Sequence, residues 1–306
     1  MSLMQTSSAG ALGARQETSR TGGRALLRGL LRNRLSLTAA LVLLTLILAG
    51  LVVPFVSHAD PTATNLPDRF RGPAWVAGGS SAHVLGTDGL GRDVLVRIIY
   101  GARISLTIGF VAALIAATLG VPLGLLAGFY GGAVDAVIMR LADIQLGFPS
   151  ILLYISALTV LQPSLWNMIL ILGIAGWVIH ARLVRAQALA QRQMDYVDAA
   201  RAMGASNTRI LARHVLPNVL APTIVIASFS VATFIITASS LSFLGLGLPP
   251  STPDWGLMIA DAMHYIRIAW WPSTFAGLAL SLTVFGVNVL GDWLRDYLDP
   301  RLRIDS

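Results

Sequence analysis

The stretch YVDAARAMGASNTRILARHVLPN, Tyr196 to Asn218, is a charged interruption between two long apolar runs. Its reading decides how the chain is organised. Asp195 stands where a helix N-cap would, with Asp198 three residues on, the spacing of a capping box. Tyr196, Ala199, Ala200 and Met203 fall at i, i+3, i+4 and i+7 and predict a short helix with one small, apolar stripe. Gly204 is placed to end that helix in a left-handed conformation, and Ser206 to cap a second one running through Ile210, Leu211 and Val215. Pro217 suits the first turn of the helix that follows. The unit reads as helix, glycine turn, helix, tethered at both ends to apolar segments.

Those segments place the chain in a membrane. Its 306 residues are 55% apolar and 12% charged, with a mean hydropathy of +0.71, far from the composition of a soluble domain. A bilayer core is crossed by about 20 apolar residues in a helix. Six stretches qualify: 35–56, 104–126, 144–161, 165–184, 220–248 and 271–290. Residues 100–103 extend the second, and the third follows a polar lead-in with Asp135, Arg140 and Asp143. The expected fold is an all-α membrane protein of six transmembrane helices. With the N-terminus inside, 16 arginines lie on the cytoplasmic side and 6 outside (Arg69, Arg71, Arg92, Arg97, Arg103 and Arg267), so the positive-inside rule puts the N- and C-termini in the cytoplasm. The Ser-, Gly-, Thr- and Arg-rich residues 1–30 are expected to be a flexible cytoplasmic tail, and 31–306 the membrane domain. Within that domain 57–96 is an external segment of irregular coil and 185–218 a cytoplasmic loop.

All 22 basic residues are Arg, and there is no Cys. Without Lys the chain cannot carry an ordinary Walker A site, so any ATP hydrolysis falls to another subunit. Without Cys no disulfide framework or thiolate metal site can be built. Asp88 and Asp93, among Gly86, Gly89 and Gly91, lack the alternating oxygen ligands and terminal Glu of an EF-hand, and read as a turn that orients the second span. No metal site, cofactor or catalytic arrangement is expected in this chain.

In the second span Gly101, Ser105, Gly109, Ala113 and Ala117 recur every four residues, and Gly120, Gly124, Gly128 and Gly132 resume that spacing after a step of three. Small residues at this period let helix backbones approach closely in lipid. Gln145, Asn167, His180 and Asn288 are polar within spans and should face protein or water. Gln145, Asn167 and Asn288 are candidates for a solute pathway, although interhelical hydrogen bonding explains each equally well. Pro122 and Pro149 each remove a helical hydrogen bond and so are points where their helices can kink.

A DNA-reading helix-turn-helix has similar local grammar, but the insert lacks room for a supporting third helix, so no nucleic acid is expected as partner. The stretch instead resembles the EAA loop of ABC importer permeases: Asp198, Ala199, Ala200, Gly204, Leu216 and Pro217 match that pattern in register. Asp198 replaces the family's Glu and His214 its Ile. The wording RHVLPN at Arg213 to Asn218 is similar to the dipeptide and oligopeptide subfamily. HVLGTDGLGRDVLVRIIYGARISL, His83 to Leu106, is similar to the segment before the second span of C-type permeases for dipeptides, oligopeptides and nickel. The resemblance runs from about residue 31 to the C-terminus. It implies the ABC importer permease fold and a heteromer in the bacterial inner membrane. That heteromer holds this chain, a B-type permease, one or two ATPase subunits carrying ATP and Mg2+, and an extracytoplasmic solute-binding protein.

On that resemblance Tyr196, Asp198, Ala199, Ala200, Arg201, Met203, Gly204 and Ala205 form the coupling helix that seats in an ATPase subunit. Nickel-chelate or glutathione uptake is the competing substrate class. A stand-alone secondary transporter would show repeated halves and buried ion-coupling carboxylates, neither of which the sequence favours.

Overall fold

The structure, a computed structural model, describes residues 29–31, 33–56 and 59–298. Nearly all of the expected N-terminal tail, together with residues 299–306, lies outside the described residues. Helix α1 (Arg34–Val56) is the first span, and Asn33 Oδ1 accepts from the backbone N–H of Leu35 and Ser36 at its start. Helix α2 (Val94–Tyr130) begins at Asp93, whose carboxylate accepts from the N–H of Val96 at 2.9 Å. It runs without a break through Pro122 and stops at Gly131, where φ is +68°. Its 37 residues are about 55 Å long at 1.5 Å per residue, so it projects beyond the hydrocarbon.

Helices α3 (Gly132–Leu146) and α4 (Ser150–Val160) meet at an angle of 84°. The sequence reading of 144–161 as one helix that Pro149 can kink becomes two helices with a break between them. Pro149 cannot donate a helical hydrogen bond and biases Phe148 away from helical geometry, so the helix ends at Leu146 and restarts at Ser150. Helices α5 (Leu165–Ala175) and α6 (Trp177–Arg192) form a single long span interrupted at Gly176. The short α7 (Asp195–Ala202) follows, then α8 (Asn207–Ile210), a π-helical turn (Leu211–Val215) and α9 (Leu216–Phe243). The last three are one continuous helix. Pro217 offers no N–H to close the ladder, and the register widens before it, with Leu216 N–H bonding five residues back to Leu211 O. Helix α10 (Trp255–Met263) is short, and α11 (Trp271–Leu298) is the last span. Among the described residues five helical stretches are long and apolar enough to cross a membrane, six if the bent α3–α4 pair counts as one.

Two cores hold the bundle. The larger joins Ile108, Ala112 and Ala116 of α2 to Met168 and Leu172 of α5 and Ile235 of α9. The second sits at the end of the bundle that carries α7, where Leu125 and Phe129 of α2 and Val184 and Ala188 of α6 pack against Val197, Ala200, Ile210 and Val215. At the opposite end of the bundle residues 59–93 fold down as a cap. Trp255 Nε1 donates to Ile98 O at 3.0 Å, Trp271 Nε1 to Thr87 O at 2.9 Å, and the wholly buried Arg97 donates through Nη1 to Pro61 O at 3.1 Å. Asp88 accepts from the backbone N–H of Leu90 and Arg92 and pairs with Arg92 Nε at 2.6 Å, which agrees with the reading of this segment as a turn orienting α2.

Candidate functional site

The α7 unit is built largely as its caps foretell. Gly204 has φ +81° and closes a Schellman turn, with its N–H on Arg201 O and that of Ala205 on Ala200 O. Ser206 Oγ accepts from Arg209 N, starting α8. The N-terminal end differs. Met194 is the N-cap and makes no side-chain bond, while Asp195 is already the first helical residue. Asp198 does not close a capping box; it pairs with Arg201 at 3.0 Å on the exposed surface.

The buried face also differs from the expected stripe. Val197 and Ala200 are buried in the second core, whereas Tyr196, Ala199 and Met203 are exposed, Met203 at 82%. The helix clamps itself down with the two residues that fit against Leu125 and Phe129, and presents the rest outward. Arg201 lies 5.8 Å over the Phe129 ring, and Ala205 is half-buried at the edge of this core. Tyr196 is a staple as well as a surface: its hydroxyl donates to Gln191 Oε1 of α6 and lies 3.3 Å from Asn218 Nδ2 of α9. His214, at the position where the EAA pattern has Ile, packs against the Tyr196 ring with centroids 6.1 Å apart.

The unit is tied to the membrane bundle through α6. Cβ atoms added at Gly120, Gly124 and Gly128 would fall 2.5–2.6 Å from the carbonyl oxygens of Trp177, Ala181 and Arg185, so the two backbones touch along three turns. Gly132 has nothing within 4 Å and belongs to the turn, not the seam. Helix α3 is held to the other side of α6 by Arg185, which grips Asp135 through Nε and Nη2, and by Arg182 on Asp143 at 2.5 Å.

The polar span residues separate. Gln145 bridges the two helix breaks: its Nε2 donates to Ala175 O at 2.6 Å and its Oε1 accepts from Trp177 Nε1 at 2.9 Å. It lines a cavity of about 200 Å³ shared with Ser150, Tyr154, Ser230 and Thr233. Asn167 is a loop staple, donating to Gln162 O at 2.7 Å while Ser164 caps α5. Asn288 is half-buried in α11, apart from both. His180 is buried, with Nε2 3.3 Å from Ser230 Oγ. The α3–α4 bend falls at Pro149, which the sequence marks as a kink site, but the extent of the break and the place of Gln145 beside it were not read from the sequence. The short α10 was missed, and Asp254 before Trp255 as an N-cap was the available signal.

Residues 120–304 match the family described as binding-protein-dependent transport system inner membrane component. The chain belongs to that family. It is a C-type permease subunit of an ABC importer and a multi-pass inner-membrane protein. The permease is 40% identical over 288 residues to the dipeptide transport system permease protein DppC of Alkalihalophilus pseudofirmus, covering 94% of this chain and 93% of that one. It is also 40% identical over 289 residues to the glutathione transport system permease protein GsiD of Pectobacterium atrosepticum, covering 94% of each. In fold it is similar to a chain of the MetNI methionine ABC transporter in an inward-facing conformation. The TM-score there is 0.55 at 20% identity, over 67% of this chain and 96% of that one.

Proposed function

We propose that this permease forms half of the translocation pathway of a peptide importer and that α7 is the helix through which an ATPase subunit drives it. The observation that carries the coupling role is the division of α7 into two faces. Val197 and Ala200 anchor it to the core formed with Leu125 and Phe129, while Asp198, Ala199 and Met203 are exposed on the other face and Tyr196 ties the helix to Gln191. A force on that free face reaches α6 through the intervening turn and the Tyr196–Gln191 bond, and reaches α2 through the glycine seam. The second half of the pathway comes from a B-type permease. ATP and Mg2+ bind in one or two ATPase subunits, and an extracytoplasmic binding protein delivers the solute. Both termini lie in the cytoplasm, as the arginine distribution favours.

Peptide is the first reading of the substrate because the relative named for dipeptide transport matches along nearly its whole length. Glutathione, itself a short peptide, is the second, because a permease named for it is equally similar. The coupling role is tested with Ala199→Trp, which adds bulk to the free face and leaves the anchored face intact. Membrane insertion and pairing with the B-type permease are expected to persist while ATP-driven uptake and substrate-stimulated ATPase activity fall together. Uptake and stimulation at the level of the unmodified assembly would overturn it.

A further inference from the structure

We propose that residues 73–77 of the external cap are a membrane anchor, with Trp75 seated at the headgroup boundary of the outer leaflet beside the first turn of α11. Trp75 is 61% exposed, yet one edge of its ring packs on Phe275, with centroids 6.0 Å apart, and Phe275 lies 5.8 Å from Trp270. The apolar part of α11 begins at Trp271, so Phe275 lies about 6 Å further along the helix axis, inside the edge of the hydrocarbon. The contact places Trp75 at that depth, although it belongs to the external segment.

What covers the open side of Trp75 follows from the chemistry of α11. Beyond its first turn the buried face is mostly small, with Ala276, Ala279, Thr283, Gly286 and Gly291 and the larger Val287, and its exposed face is large, with Leu278, Leu282 and Phe285. Helix faces packed against protein in a bilayer take small residues. The large face is therefore the lipid face, Phe275 heads it at i−3 from Leu278, and Trp75 extends it outward. Tryptophan concentrates at this level because its ring is apolar and its N–H is met by headgroups or water.

The rest of the segment fits the same place. Residues 72–82 carry no charge, between Arg71 and His83, and Ala74 and Ala77 are exposed. Some of the turn's backbone donors are used internally, with Val76 N–H on Pro73 O at 2.9 Å, Gly79 N–H on Val76 O at 2.8 Å and Ala74 N–H on Val84 O at 3.1 Å. Fewer polar groups then lose water when the tip meets lipid. The anchor would hold the external cap against the outer leaflet and keep it from swinging as a free loop.

Because the chain has no Cys, single labels can be introduced without removing native thiols. A fluorophore on Ala77→Cys, in the assembled transporter reconstituted into nanodiscs with phospholipids brominated near the glycerol end of their acyl chains, is expected to be quenched several-fold more than one on the exposed external Thr64→Cys. Ala74→Cys gives an independent reading should Ala77→Cys fail to assemble. Equal quenching at the two sites would overturn the proposal. So would a label shielded from both brominated lipid and aqueous iodide, since a protein partner would then be covering the patch.

Discussion

The carbonyl oxygen of Ala181 lies 2.5 Å from the point where a Cβ on Gly124 would stand. No rotamer change relieves that clash, because both parties are backbone. Gly124→Ala is therefore expected to push α2 and α6 apart and to cost about 1–3 kcal/mol, in the range of overpacked cores. Gly277→Ala, where nothing lies within 4 Å, should stay within about 0.5 kcal/mol of the parent. Thermal unfolding of the detergent-solubilised protein checks the pair, and equal melting temperatures would show that the seam is looser than the packing implies.

Arg185 and Arg182 both reach from α6 to α3, and they should not be equal. The Arg185 side chain is 33% exposed and meets Asp135 with two nitrogens, whereas Arg182 and Asp143 are 48% and 54% exposed and meet through one. A double-mutant cycle on Asp135→Asn and Arg185→Met is expected to give a coupling energy of about 1 kcal/mol. The same cycle on Asp143→Asn and Arg182→Met should give no more than about 0.5 kcal/mol. Only the first pair should retain its coupling in high salt.

The helix-turn-helix between the fourth and fifth spans was legible because each boundary is written in a residue with one local job: Gly204 for a left-handed turn, Ser206 for a cap, Pro217 for a first turn. Which face of α7 is buried was not. In an eight-residue helix with alanines at 199, 200 and 202, periodicity leaves two faces nearly equal, and the choice is made by Leu125 and Phe129, some 70 residues upstream. The same limit applies to the glycine seam. Its spacing announced a close approach, but its partner was settled by α6 placing Ala181 and Arg185 opposite Gly124 and Gly128. Gln145 shows the third kind of gap: its amide looked like a pathway group until two helix breaks supplied a free carbonyl and an indole N–H for it to join.

Gly204 separates conformational strain from crowding. Its φ is +81° and nothing lies within 4 Å of a Cβ there, so any penalty for a side chain is backbone strain alone. Gly204→Val is expected to cost about 1–2 kcal/mol and to speed amide exchange at Ala205, which closes the turn on Ala200. Gly204→Asn should cost less, since asparagine tolerates the left-handed region. Hydrogen exchange on the two variants checks the order, and an Asn variant as perturbed as the Val variant would contradict it.

Asp254 gives the cap a pH dependence of defined sign. Its carboxyl is buried at the N-terminus of α10, where it accepts from Leu257 N–H at 3.0 Å. Burial pushes it above the ordinary carboxylate range, only partly opposed by that hydrogen bond and by the charge of Arg97. In the window between the unfolded value, about 3.9, and the raised native value, the folded state holds the proton more tightly. The group's contribution to stability is therefore greatest at low pH, declines as pH rises through that window, and is flat above it. Asp254→Asn keeps an oxygen for Leu257 and has no proton to lose. The difference in melting temperature, variant minus parent, is expected to grow as pH rises from about 4 and then level off. A difference that does not change with pH would mean that the native carboxyl titrates where an exposed one does.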